Sequence, residues 1–505
     1  MIQNKKSLKA WLCLAIGILT ATLARAEVRM PAIFGDHMVL QAGERVNIWG
    51  WADDGEKVTV TFRGQKATTV AKDGKWMVSL KKMKAGGPGV LTVAGKNSIQ
   101  FDDVVVGEVW VCSGQSNMEF ALRNSYEVTN DIIAATNTQI RLFLVAKSRL
   151  DEPTNDVKGS WQVCSPNSAQ WFSAVAYYFG RDLQRARKVP VGLIGTYWGG
   201  SPAEVWMRQD MLENNPRYKK EILDTYTPQG KRYEVALAKY KTEKAEAEKN
   251  QVTFEKRPPG QPWKPAELYN GMIAPLTNYT IRGALWYQGE ANAGRAEQYR
   301  TLFPDMIRNW RADWREGNFP FLLVQLAPFQ RIKNEPAESA WAELREAQLY
   351  STQILPKVGE VVITDVGNPD NIHPTKKEPV GDRLALAAQG IAYGERIVYS
   401  GPIYQKLKVR GDKAIVSFTS AGHGLETRDG ELKGFAICGE DHKFVWANAV
   451  IDGKDKVIVS SPEVAHPVAV RYGWADCPVV NLWNRDGLPA TPFRTDNFPM
   501  VTAGK

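Results

Sequence analysis

From Val104 to about residue 400 the chain alternates short apolar runs with amphipathic stretches. That rhythm constrains the fold more than any other feature. The runs at 104–111, 191–196, 283–287, 320–325 and 360–364 are strand-length and apolar on consecutive residues, as strands buried on both faces must be. Segments 174–187, 339–352 and 379–391 carry apolar residues at helical spacing. Strands separated by helices predict a parallel sheet covered on both sides, and right-handed crossovers turn it into a three-layer α/β/α core.

The flanks read differently. Val46-Asn47-Ile48-Trp49 and Lys57-Val58-Thr59-Val60-Thr61-Phe62 alternate in polarity, and turns such as Asp53-Asp54-Gly55 separate runs of this kind. Residues 27–103 therefore predict a small β-sandwich-like domain. The β pattern returns over 401–505, with its clearest strands at 414–418, 456–460 and 468–472. Within the core region of 104–400, residues 211–262 break the rhythm. The stretch from Lys239 to Lys249 is rich in helix formers and in acid–base pairs at helical spacing, and Arg257-Pro258-Pro259-Gly260 ends it. It predicts an exposed, charged helical insertion.

Residues 1–26 have the form of an export signal. Lys5, Lys6 and Lys9 precede an apolar run from Trp11 to about Leu23, and Ala24-Arg25-Ala26 offers a small-x-small cleavage site. The run is short for a membrane span. The expectation is a periplasmic or secreted protein beginning at Glu27, with no membrane span in the mature chain. The formal charge of +9 includes four cations of this leader, which leaves about +5 on the rest. That mild excess lacks the dense basic stripe of a nucleic-acid binder. Cys112, Cys164, Cys438 and Cys477 form no C-x-x-C pair, so neither a zinc nor a redox motif is expected. Export permits disulfides, and Cys438 with Cys477 is the candidate pair, four free thiols being the alternative.

Four polar clusters follow predicted strands. Gly114-Gln115-Ser116-Asn117-Met118 comes first; a serine there sits at the carboxyl end of a parallel strand, where open α/β sheets place their sites. Serine needs a base within hydrogen-bond reach to act as a nucleophile. Asp370-Asn371-Ile372-His373-Pro374 offers one, with an acid three residues ahead that can orient the imidazole. In Trp198-Gly199-Gly200-Ser201-Pro202-Ala203-Glu204 the glycines let backbone N–H groups approach an oxyanion. Gln288, in Trp286-Tyr287-Gln288-Gly289-Glu290-Ala291-Asn292, can lend its amide to the same oxyanion, and Glu290 can hold a loop. Each cluster also has a plain structural reading as a cap or turn. Their common place after parallel strands argues for a site.

These blocks, in this order, resemble the SGNH hydrolases and, within them, the sialate O-acetylesterase family. The likeness extends to Leu268-Tyr269-Asn270-Gly271-Met272-Ile273-Ala274-Pro275-Leu276. It also takes in Phe34-Gly35-Asp36-His37-Met38 near the start and Val470-Arg471-Tyr472-Gly473-Trp474 near the end. The resemblance implies a cofactor-free serine esterase acting on O-acetylated sugars through an acetyl-enzyme. Ser116 is then the nucleophile, His373 the base and Asp370 its orienter. The Ser116 N–H, Gly199 or Gly200, and Gln288 make the oxyanion hole, with Asn292 as the alternative to Gln288. O-acetylated sialic acid is the expected substrate. The same residues also serve a deacetylase of plant polysaccharides such as acetylxylan or pectin. A non-catalytic carbohydrate-binding protein and a lipase are the competing classes; the intact Ser, Asp and His argue against the first, and the absence of a long apolar lid segment against the second.

Overall fold

The computed structural model describes residues 27–505, so the segment expected to be an export signal lies outside the described residues. Seven strands build the central sheet: β1 (Ser98–Gly114), β2 (Ile140–Leu144), β3 (Trp161–Val163), β4 (Val191–Tyr197), β5 (Gly283–Tyr287), β6 (Phe321–Val324) and β7 (Val358–Val361). Their order across the sheet is β7-β6-β5-β1-β4-β2-β3. All neighbours run parallel except the β2–β3 pair at the edge. Five longer helices accompany them: α1 (Ala174–Arg187), α2 (Asp224–Lys249), α3 (Ala296–Trp314), α4 (Ala340–Ile354) and α5 (Glu378–Ile391).

The central strands are apolar on both faces because both faces are covered. One hydrophobic cluster joins Trp286, Phe303 and Trp310 to the N-terminal β residues, and a second joins Trp110, Phe179, Leu193 and Leu384. Each large side chain fully buried in this way contributes about 1.5–3 kcal/mol. The first half of β1 pairs antiparallel with Gly86–Ala94, and Val39–Gln41 lies parallel to its middle. The strand runs unbroken across residue 104, so the N-terminal β region and the core share both a backbone and a hydrophobic cluster.

Strands Lys413–Thr419, Phe435–Cys438, Lys456–Ser460 and Ala469–Tyr472 surround a third cluster of their own. This C-terminal β region is fastened to α4. Arg345 donates to the carbonyl oxygens of Ala475 and Asp476, Arg494 pairs with Glu346, and the buried Glu343 carboxylate accepts from Val501, Thr502 and the Thr502 hydroxyl. The charged insertion forms α2, which has no buried side chain. All four described cysteines are free and buried, so Cys438 and Cys477 are not joined. Among the described residues no helix is long and apolar enough to cross a membrane.

Candidate active site

The chain visits one side of β1 through β2, β3 and β4, then crosses to β5 on the other side. The carboxyl end of β1 is therefore the switch point of the sheet, where open α/β folds form their crevice. Ser116 opens a helical turn, Ser116–Glu119, directly after this strand. Gly114 makes the turn possible. Its φ is +138°, and a Cβ there would sit 2.2 Å from the carbonyl oxygen of Tyr287 on β5. Only a glycine lets β1 and β5 stay this close while the chain bends to present the serine.

His373 arrives from the long loop between β7 and α5. Its Nε2 lies 2.8 Å from Ser116 Oγ, the separation expected of a base that will take the serine proton. The loop is tied at several points. The His373 N–H donates to Asn371 Oδ1, and the Ile372 carbonyl accepts from Asn117. The pKa of His373 lies below its ordinary value, first because burial strips water from the charged form and second because Lys377 is near. Asp370 is exposed, and its N–H donates to Asn368 Oδ1. No hydrogen bond or ion pair joins its carboxylate to His373.

The loop after β4 brings Gly199 against Ser116, since a Cβ on it would meet Ser116 Cβ at 3.3 Å. The Gly199 N–H is occupied: it donates to Glu119 Oε2 at 2.7 Å, while Glu119 Oε1 pairs with Lys147. Gly200 follows with φ +77°, and among the described residues its N–H has no protein acceptor. Gln288 is fully buried, and its amide is committed elsewhere. Nε2 donates to the Ser201 carbonyl and to Asn292 Oδ1, while Oε1 accepts from Tyr299. Asn292 is equally engaged, donating to Glu204 and accepting from the Ala203 N–H. These two amides thus frame the loops after β4 and β5, and both N–H groups of the Gln288 amide are spent within that network. Trp206 belongs to the core, whereas Trp198 and Trp263 are half-buried and meet edge to face at 5.6 Å beside the glycine pair.

Three residues of the site escaped the sequence reading as partners: Asn117, Glu290 and Lys377. Asn117 Nδ2 donates to Glu290 Oε1, and Lys377 Nζ donates to Asn117 Oδ1. Asn117 and Glu290 stand in quoted motifs, but their joining to a lysine 260 residues away has no local signal.

A family model described as carbohydrate esterase, sialic acid-specific acetylesterase, matches residues 259–389. The sialate O-acetylesterase of Rattus norvegicus is 29% identical, covering 92% of this chain and 94% of the relative. That of Homo sapiens is also 29% identical, covering 92% of each. A carbohydrate acetylesterase from Xanthomonas citri superposes with a TM-score of 0.81 at 40% identity, covering 94% of this chain and all of that one. The chain belongs to the sialate O-acetylesterase family. It is a carboxylic ester hydrolase with an SGNH-like core and added β-rich regions.

Proposed function

We propose that this esterase removes O-acetyl groups from sugars by way of an acetyl-enzyme on Ser116. The observation that carries the reading is the 2.8 Å contact between Ser116 Oγ and His373 Nε2 at the switch point of the sheet. Ser116 attacks the acetyl carbonyl while His373 takes its proton. The oxyanion is met by the Ser116 N–H, which opens a helical turn and has no intrahelical acceptor, and by an N–H of the Gly199–Gly200 pair. Gly200 is favoured because Glu119 already holds Gly199. Each such donor is worth on the order of 3 kcal/mol. The sugar hydroxyl departs with the proton from His373, and water then releases acetate by the reverse path. Asp370 is assigned to the imidazolium: its exposed carboxylate swings in to Nδ1 as positive charge develops there.

O-acetylated sialic acid is the substrate we favour, on the strength of the family model and the mammalian relatives. Deacetylation of a plant polysaccharide is the second reading, supported by the higher identity to an enzyme described only as a carbohydrate acetylesterase. Export to the periplasm or beyond accompanies either. The test is hydrolysis of a chromogenic acetate ester by the wild type and Ser116→Ala, then of acetylated sialic acid against acetylated xylan. Turnover that survives in Ser116→Ala removes the nucleophile and the mechanism with it. A preference for acetylated xylan replaces the first substrate with the second.

A further inference from the structure

Asn117 is fully buried behind the nucleophile, and both ends of its amide are used. Nδ2 donates to Glu290 Oε1 at 2.6 Å and to the Ile372 carbonyl at 3.0 Å; Oδ1 accepts from Lys377 Nζ at 2.5 Å. The partners fix the amide orientation, since a carboxylate and a carbonyl can only accept and an ammonium can only donate. One side chain thus links four segments: the nucleophile turn, the turn after β5, the histidine loop and the start of α5.

The lysine is the unusual member. Lys377 is 1% exposed. It has no carboxylate within ion-pair distance, and Glu290 reaches it only through the amide of Asn117. Its ammonium lies 4.8 Å from the centre of the Phe120 ring and 5.3 Å from that of Tyr287, whose π faces compensate part of the lost water. A buried cation without a direct counter-ion costs several kcal/mol. Such an arrangement is out of place in a part of the fold that needs only packing.

We infer that Asn117, gripped between Lys377 and Glu290, is a positioning residue that seats His373 on Ser116, and that Lys377 sets the charge state of the imidazole. The bond to Ile372 acts on the residue next to the histidine, so it fixes where the imidazole stands over Oγ. The lysine charge, itself buried and linked to the histidine loop through Asn117, disfavours a second cation on the ring. The titratable groups on the segments that meet at the site are Glu119 on the Ser116–Glu119 turn, Tyr287 on β5, Glu290 after it, Asp370 and Lys376 in the histidine loop, and Lys377. Of these, Lys377 is the one whose field lowers the pKa of His373, adding to burial. Burial pushes Lys377 itself down to about 7, with Glu290 pulling it back up. Lys377 is therefore charged on the acid side of that value, where His373 titrates. Glu290 is raised by burial, against the pull of the Asn117 hydrogen bond and Lys377.

This inference rests on Ser116 and His373 being the reacting pair, so Ser116→Ala and His373→Ala serve as controls; activity in either defeats that reading rather than the inference alone. With both controls inactive, kcat and KM for a small acetate ester are measured from pH 5 to 9 in Asn117→Ala, Lys377→Met and Glu290→Gln. Asn117→Ala should lose about 100-fold in kcat with little change in KM, as a misplacement of about 1 Å would cause. Lys377→Met should move the acid limb of kcat/KM upward, because it removes the charge that opposes protonation of His373. Glu290→Gln keeps an acceptor oxygen for Asn117 and removes the charge that holds the Lys377 pKa up, so Lys377 loses charge and the limb should again move upward; it decides the matter if Lys377→Met does not fold. Acid limbs that coincide with the wild type in the folded variants, or an Asn117→Ala loss that merely tracks the fraction of folded protein, would overturn the inference.

Discussion

Replacing Gly114 by alanine tests whether the close approach of β1 to β5 is what presents the nucleophile. The added Cβ would lie 2.2 Å from the Tyr287 carbonyl oxygen, 2.7 Å from its carbon and 2.9 Å from its nitrogen. All three are backbone atoms of a central strand, so no rotamer change relieves the clash. The turn must lift away from β5, which pulls apart the 3.0 Å hydrogen bond from the Gln115 N–H to that same oxygen. A buried backbone pair left unmade costs about 1–3 kcal/mol. A non-glycine residue held at a positive φ of this kind adds about 1–3 kcal/mol. The expected loss of stability is therefore about 2–6 kcal/mol from the two terms together. Ser116 is two residues beyond the clash, and a shift of about 1 Å there should cost about 100-fold in kcat. Chemical denaturation gives the first quantity, and turnover of a chromogenic acetate at saturation gives the second. A Gly114→Ala protein with wild-type stability and kcat would refute the argument, because it would mean the turn has room that the backbone geometry denies it.

Activity should fall on the acid side as His373 gains its proton; since its pKa is depressed, the midpoint should lie below the ordinary value of about 6.5, as a pH profile of kcat/KM will establish. In the C-terminal β region, Arg471 and Asp496 form a buried ion pair with side chains 4% and 1% exposed. Arg471→Met leaves the buried carboxylate only Arg494, 3.6 Å away, as a cation and should cost up to about 3–5 kcal/mol by denaturant unfolding, and a change under about 1 kcal/mol would show that the pair is dispensable. On α2, Val235 is 71% exposed, so Val235→Asp should leave the unfolding midpoint within about 0.5 kcal/mol of the wild type.

The inner strands were legible because burial on both faces writes itself as an uninterrupted apolar run. Residues 283–287 and 191–196 match β5 and β4 to within one residue for that reason. The edge was harder. β2 hides behind Arg141, a buried cation neutralised by Asp103 from the far end of β1, and β3 is three residues long. Pro304 reads as a breaker, yet it lies inside α3. The expected strand over 360–364 ends earlier, at Val361, because Val362 and Ile363 are buried as loop residues and sustain the apolar run beyond the sheet. At the site, the meeting of Ser116, His373 and Gly199 follows from their place after strands, since the strand ends converge there. The hydrogen bonds of Gln288 and Asn292 were not legible in this way, since a buried amide has many possible partners and only the fold reveals that these two tie the loops after β4 and β5 together. The Lys377–Asn117–Glu290 chain was invisible for a related reason: its members become neighbours only when three strand ends converge.

The strand that delivers Ser116 begins as a member of the N-terminal β region and finishes as the middle of the catalytic sheet. That continuity bears on modularity. A recombination event or a designed fusion cannot exchange the N-terminal portion as a cassette, because the cut would fall within a hydrogen-bonded strand whose last residues aim the nucleophile. Whatever alters the N-terminal portion is transmitted along a continuous β backbone to the serine, whereas a change of length in α2, which buries no side chain, would leave that backbone untouched.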